Sequence, residues 1–346
     1  MRFQREYFNK IEKNNWNKFL DEMKGASHAM TWQNIKYLSA FENIKNLSFA
    51  VKEGNTIVAL VAFGINKSKK ENSFSFGNNL LPAPVFRNNI SHSYRRKIYD
   101  FIFEIIKDKA IVDKIKNIFF ISHPIIFSKK KVILSSENQF ELISKCESFI
   151  VHNTLIHEFE NLTEEDMTNK LSKYHKKNIK KINKKKLIFN TINSQNNKKE
   201  IKKHFKNLKD YHFMSAGKLT RSNKTWNVML DQLYDNEADL FSLYYKKKPI
   251  SYLYCGRYKK FTWGWTQVNL KEYEKEFMPR HLLEWKTLLY YKNKGMLFYE
   301  IGERFYKQKN FKPTKKELSI SEFKEKYGAE YYPKSEFKIR INFSKK

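Results

Sequence analysis

The chain has 346 residues, 41% of them hydrophobic, enough to bury a full core in two domains of ordinary size or one large one. Its 67 Lys and Arg against 36 Asp and Glu give a formal charge of +31, which favours an anionic partner such as phosphates, nucleic acid or lipid headgroups. Cys146 and Cys255 are too far apart and too apolar in setting for a disulfide framework or a metal site, and "TIVALVAFGI" (56–65) is too short to span a bilayer, so a cytoplasmic protein without a signal peptide is expected, able to rest on the inner membrane surface.

In chain order, "NNWNKFLDEM" and "TWQNIKYLSAF" read as helices, and "LSFAVKEGNTIVALVAFGI" as two strands around the turn Glu53-Gly54-Asn55. "SFSFG" reads as a third strand. Residues 93–110 then place Ile98, Phe101, Ile102, Ile105 and Ile106 on one helical face, and "NIFFIS" returns as a short buried strand. The same order recurs later. "LIFNTI" is a strand, "EIKKHFKNLKDYHF" and "TWNVMLDQLYD" are helices, and residues 239–258 form a hairpin turning at Lys247-Lys248-Pro249. "FTWGWTQV" is the next strand, 279–295 is a helix opened by Pro and closed by Gly, and "MLFYEI" ends the series.

A three-stranded antiparallel meander followed by a helix and a parallel-adding strand is how the acetyltransferase-like fold is built. The expected class is therefore α/β (α+β), with two tandem acetyltransferase-like (GNAT-like) domains, 1–155 and 156–346, each a mixed, mostly antiparallel sheet flanked by helices. The stretch "KLSKYHKKNIKKINKKKLIF" (170–189) holds nine lysines in its first seventeen residues and no acid. Upstream, Thr163 followed by Glu164, Glu165 and Asp166 is an N-cap with an acidic first turn, which predicts a docked helix. Leu171, Tyr174, Asn178 and Ile182 share its inner face, and most lysines lie opposite in water.

Three stretches resemble the FemAB family, the tandem acetyltransferase-like enzymes that add amino acids to peptidoglycan precursors. They are "HEFENLTEEDMTNKLSKYHKKNIKKINKKKLIF" (157–189), "MPRHLLEWKTLLYYKNKGMLFYEIG" (278–302) and "SISEFKEKYGAEYYP" (319–333). Two features depart from the family pattern. Glu300-Ile301-Gly302-Glu303 stands where many relatives carry Asp-(apolar)-Gly-Gly, and residues 194–238 hold two ordinary helices rather than a long coiled-coil insertion.

The resemblance implies an acyl- or aminoacyltransferase that forms an amide on an amine of a cell-envelope or nucleotide-linked precursor. No tightly bound cofactor is expected. The donor is either an aminoacyl-tRNA or an acyl thioester, and the anionic acceptor a nucleotide-sugar or lipid-linked precursor, with tRNA and the inner membrane surface as further partners. Lys324, in Phe323-Lys324, is implied to lie near the transferring carbonyl, where an ammonium stabilises the developing oxyanion; the bland alternative is an exposed lysine on an amphipathic helix with Phe323 and Tyr327 buried. Glu300, at a strand end, could take a proton from the attacking amine or pair with Arg304.

Arg280 and His281, in the first turn of their helix, could hold a phosphate where the loop "LKEYEKEFMPRHLLEW" lacks the glycines of a CoA pyrophosphate cradle. Lys177 and Lys181 are candidates to meet a phosphate. Trp265 shares a strand face with Phe261 and Trp263, a core pattern that could also be a stacking surface. No Ser-His-Asp, Cys-His or metal spacing is legible. A non-enzymatic nucleic-acid-binding protein is the rival class, favoured by charge and interleaved aromatics.

Overall fold

The computed structural model describes residues 3–66, 72–123, 125–128, 131–133, 136–307 and 312–341. Internal contacts divide the chain into two units, residues 1–152 with 333–346, and residues 153–332. The last residues thus fall with the first unit, whereas the sequence placed them at the end of the second. The reason is a closing strand, Glu330–Arg340, whose residues Ser335 to Arg340 pair antiparallel with Ser122 to Asn117.

In the first unit, strands Phe3–Tyr7, Phe49–Glu53, Thr56–Val61 and Val85–Phe86 form one sheet in that order. The tight turn falls at Gly54, whose φ of 57° is a left-handed conformation open to glycine at little cost. "SFSFG" differs from expectation. Only Ser73–Phe74 is strand, and it pairs with Gly64–Asn66 in a separate small sheet, while Val85–Phe86 takes the fourth place beside Ala59 and Leu60. Gly77, Asn78 and Asn79 all have positive φ, so the chain turns away just after Phe76. Helices Lys13–Glu22, Trp32–Phe41 and His92–Val112 accompany these sheets. Trp16, Phe8 and Trp32 pack as a buried aromatic group, with Phe8 stacked on Trp32 at 3.7 Å.

The second unit carries strands β1 (Ser148–Glu158, from Asn153 onward), β2 (Ile188–Ile192), β3 (Ala238–Tyr245), β4 (Lys248–Tyr258), β5 (Phe261–Asn269) and β6 (Phe298–Arg304), labelled for this unit alone. Its helices are α1 (Glu164–Lys170), α2 (Lys173–Asn183), α3 (Lys198–Ala216), α4 (Asn223–Tyr234), α5 (Lys271–Phe277), α6 (Pro279–Asn293) and α7 (Lys315–Glu325). The strand order is β2-β3-β4-β5-β6-β1, antiparallel throughout except for the parallel pair β5/β6. Leu282, Leu283, Leu288 and Tyr291 of α6 pack with Phe241, Leu253 and Tyr299 of the sheet into one core. Apolar burial of this kind contributes roughly 1.5–3 kcal/mol per large side chain.

The lysine-rich stretch is two helices rather than one. Thr163 and Asp166 form a reciprocal capping box that starts α1, but Leu171 is extended (ψ 140°) and the Ser172 side chain caps α2 anew by accepting from the His175 N–H. Restarting at Ser172 resets the helical phase. His175, Asn178, Ile179 and Ile182 are buried, and Tyr174, expected inside, is exposed. Among the described residues no helix is long and apolar enough to cross a membrane.

Candidate active site

Strands β5 and β6 pair for only three residues, Phe261↔Phe298, Thr262↔Tyr299 and Trp263↔Glu300, and then part. Two irregularities sit at the parting. On β5, Tyr254 faces Thr266 while the next residue, Cys255, faces Gly264, so the register skips Trp265, a bulged residue. On β6, Leu155 faces Gly302 and Ile156 faces Glu300, so Ile301 is bulged as well. Bulges bend strands and re-aim side chains. Between them opens a pocket of about 190 Å³ lined by Gly264, Trp265, Thr266, Gln267 and Leu253 on the β4/β5 side, by Ile301, and by Arg280, Glu284, Ile320, Phe323 and Lys324 from α6 and α7.

Helix α6 presents its N-terminus to this pocket. The preceding loop is not a loop but helix α5, and Met278 alone turns the chain between the two helices in a left-handed conformation (φ 39°, ψ 52°) that costs a non-glycine residue roughly 1 kcal/mol. No side chain caps α6, and its first turn holds Arg280 and no acid. Pro279 has no N–H and the His281 N–H donates to the Met278 carbonyl, so the Arg280 N–H and the positive end of the helix dipole are what favour an anion there.

Arg280 is exposed at the pocket edge, its guanidinium 5.5 Å from the centre of the Phe323 ring. His281 is placed differently from the expectation of a phosphate ligand. It is buried among His175, Phe323 and Tyr174, with ring centres 4.7, 5.0 and 5.6 Å away, and is not part of the pocket lining. Burial, with Arg280 nearby, lowers its pKa to about 4, so the ring is neutral near pH 7.

Lys324 projects into the pocket rather than into water. A Cβ placed on Gly302 would lie 2.2 Å from Lys324 Nζ, so the amine crosses directly over that glycine, and Gly302 itself holds φ 136°. Burial lowers the pKa of Lys324, while Glu284, Glu300 and Glu303 act in the opposite direction. Glu300 accepts a hydrogen bond of 2.5 Å from the buried Thr154 hydroxyl and does not line the pocket. Its position is behind Lys324, as one of the carboxylates that hold the amine's charge. The suggested Glu300–Arg304 pair is not what forms; Arg304 Nε lies 2.8 Å from Glu325.

The carboxylate that does line the pocket is Glu284, which the sequence did not single out as a site residue. It is 6% exposed and accepts a 2.6 Å hydrogen bond from the fully buried Tyr299 hydroxyl. Burial raises its pKa; the Tyr299 bond and the charges of Lys324 and Arg280 pull it back. Gly264 is required beside this pair, because a Cβ there would meet Tyr299 Oη at 2.7 Å. A signal existed: Glu284 falls three residues after His281 and four before Leu288, both buried, so a carboxylate stands on the apolar stripe of α6.

Trp265 is half-buried and lines the pocket, 5.9 Å from the Trp263 ring. Lys177 and Lys181 are exposed on α2 and take no part in the pocket. The structure thus brings together Lys324, Arg280 and Trp265, with Glu300 behind them, and leaves His281, Lys177 and Lys181 elsewhere. Among the described residues no group of three or more His, Cys, Asp or Glu is placed to hold a metal ion.

A search of protein families finds no match, and neither does a search of curated proteins. Solved structures do match. FemX superposes with a TM-score of 0.66 at 12% identity, covering 99% of this chain and 98% of its own. The chain shares the fold of FemX. L-PGS from Bacillus licheniformis superposes with a TM-score of 0.60 at 12% identity, over 96% of this chain and 93% of that one. A tandem GNAT protein from the clavulanic acid biosynthesis pathway matches at 0.54 and 9% identity, over 99% and 100%.

Proposed function

We propose that this chain is an acyltransferase that forms an amide by direct attack of a primary amine on a bound acyl or aminoacyl ester. One observation carries the reading: the Lys324 amine lies across Gly302 in a pocket opened by two parting strands at an uncapped helix N-terminus. In the reaction the amine nitrogen bonds to the ester carbonyl carbon, and the carbonyl oxygen gains negative charge that the Lys324 ammonium stabilises. Collapse of the tetrahedral species then breaks the bond to the carrier's oxygen or sulfur, which leaves as the alcohol or thiol after taking up the proton that the nitrogen gives up. Glu300 and Glu303 support the charge of Lys324 from behind. A preorganised cation aimed at a developing oxyanion is worth several kcal/mol in a site of low dielectric.

Arg280 and the α6 N-terminus are assigned to a phosphate of the donor or acceptor. The exposed lysines Lys177 and Lys181 of α2 are assigned to a longer polyanion such as a tRNA backbone. The acceptor class is a nucleotide-sugar or lipid-linked cell-envelope precursor, met in the cytoplasm at the inner face of the membrane. FemX and L-PGS, which share the fold, support a donor of the aminoacyl class, and the tandem GNAT protein keeps an acyl-thioester donor in play.

The test is amide formation by the full chain, with aminoacyl-tRNA and an acyl-CoA supplied separately and a UDP-linked muropeptide or lipid-linked precursor as acceptor. An aminoacyl-tRNA donor makes activity disappear on ribonuclease treatment, and a thioester donor is indifferent to it. If neither donor is consumed while RNA binds with sequence selectivity, the protein is a nucleic-acid binder and the transferase reading fails.

A further inference from the structure

The pocket is polarised along α6. Arg280 and Glu284 are four residues apart, a rise of about 6 Å along the helix axis, and both line the cavity, the cation exposed and the carboxylate buried. A chain with a formal charge of +31 has here brought a carboxylate to the closed end of a cavity, where burying it costs several kcal/mol unless it is satisfied. Tyr299 donates to Oε1 and is the hydrogen-bond partner that Glu284 has among the described residues. Lys324 and Arg280 are the cations that act on Glu284, but Glu300 and Glu303 also act on Lys324. Of the charged groups that line the pocket or act on Lys324, the carboxylates exceed the cations by one. The ring of Trp265 lines the same cavity, and aromatic faces attract cations.

Resting on the transferase reading of this pocket, we propose that Glu284 is the receptor for a primary ammonium group on a small substrate moiety: the α-amine of an aminoacyl donor, or the acceptor's nucleophile before it loses its proton. An ammonium at Glu284 places the neighbouring carbonyl beside Lys324 and leaves a carrier phosphate toward Arg280 in the first turn of α6. The cavity of about 190 Å³ restricts the occupant to a small group. A simple acyl chain has nothing to offer this carboxylate, so where the ammonium is the donor's the site selects against acyl donors that lack an amine, and where it is the acceptor's the site is indifferent to the acyl group.

The experiment is saturation-transfer NMR and calorimetric titration of the full-length protein with three probes of similar size: L-alaninamide, n-propylamine and the amine-free propionamide. The proposal expects amine binding, no measurable propionamide binding, and a loss of about tenfold or more in amine affinity in Glu284→Gln, the scale of a charge-assisted hydrogen bond. Gln keeps an acceptor for Tyr299, and a thermal melt checks that the variant is folded; Trp265→Leu, which leaves the carboxylate in place, should weaken the amine by a smaller factor. Preference for L-alaninamide identifies the donor's α-amine as the source, whereas n-propylamine binding at least as well identifies the acceptor's amine. The proposal is overturned if neither amine binds at about 10 mM, a concentration that captures even affinities weaker than millimolar, or if folded Glu284→Gln binds both as well as the natural protein does. Amine binding lost in Glu284→Gln while no donor is ever consumed would leave this inference standing and the transferase reading overturned; donor consumption that needs Lys324, without amine binding at Glu284, would do the reverse.

Discussion

Two helices occupy the same place in the repeated order of elements and end differently. In the first unit, His92–Val112 begins at Ser91, whose hydroxyl accepts from the Tyr94 N–H at 3.2 Å, and its first-turn Arg95 is buried. In the second, α6 begins at an uncapped Met278 in a left-handed conformation, with Arg280 exposed at a pocket. The strand after each helix enters a parallel pair, Leu81–Pro82 with Phe120 and Ile121 in one unit and β5 with β6 in the other. Capping closes a helix end to ligands. Leaving it bare, beside two bulged strands, makes a place for one.

The sharpest way to test that contrast is to remove the pocket's amine. Lys324→Ala should lower amide formation by about 10²- to 10³-fold, the range seen when one oxyanion donor is lost, measured as a single-turnover rate. A smaller loss, under about tenfold, would remove Lys324 from the chemistry. Gly302→Ala comes next. Its Cβ would occupy the space of Lys324 Nζ at a φ of 136°, so the rate should fall by about tenfold or more and stability by about 1–3 kcal/mol, read from denaturant midpoints.

Acid should weaken both units, through different histidines. Burial lowers the pKa of His28 to about 3 in the first unit, and those of His157 and His175 to about 3 and His281 to about 4 in the second. With folded values below the ordinary 6.5, the unfolded chain binds more protons, so this stability is complete above about pH 6.5 and is lost as pH falls toward those values. Denaturation midpoints at pH 7.5 and pH 5 should differ in that direction, and His175→Phe should shrink the difference. The smallest effect belongs to the capped helix. Ser91→Ala should cost about 1 kcal/mol of stability without changing amide formation; a fall in rate would mean that the first unit's helix end also serves the substrate.

Much of this was legible from patterning. Alternation and turn residues give the hairpin of β3 and β4, yet its turn lies at Lys246 and Lys247, both with positive φ, one residue before the position that Pro249 suggested. Lysine carries no signal for a left-handed turn, so the offset could not be read. Helical periodicity finds the inner face of the lysine-rich segment but not the break at Ser172, because a serine inside a polar run does not announce itself as a cap. Lys324 illustrates the limit for sites. An amphipathic wheel sends it to water, and only the close approach to Gly302, a contact between segments twenty-two residues apart, turns it inward. Glu284 is the opposite case, a polar residue on an apolar stripe that sequence marks and structure explains.

The Lys324–Gly302 contact also has a genetic consequence. The two positions behave as one locus in effect: a side chain at 302 should be tolerated better once Lys324 has been shortened, so the double substitution should be less damaging to stability than the two single ones added together. What remains of the penalty at 302 after Lys324→Ala is the part owed to backbone conformation alone.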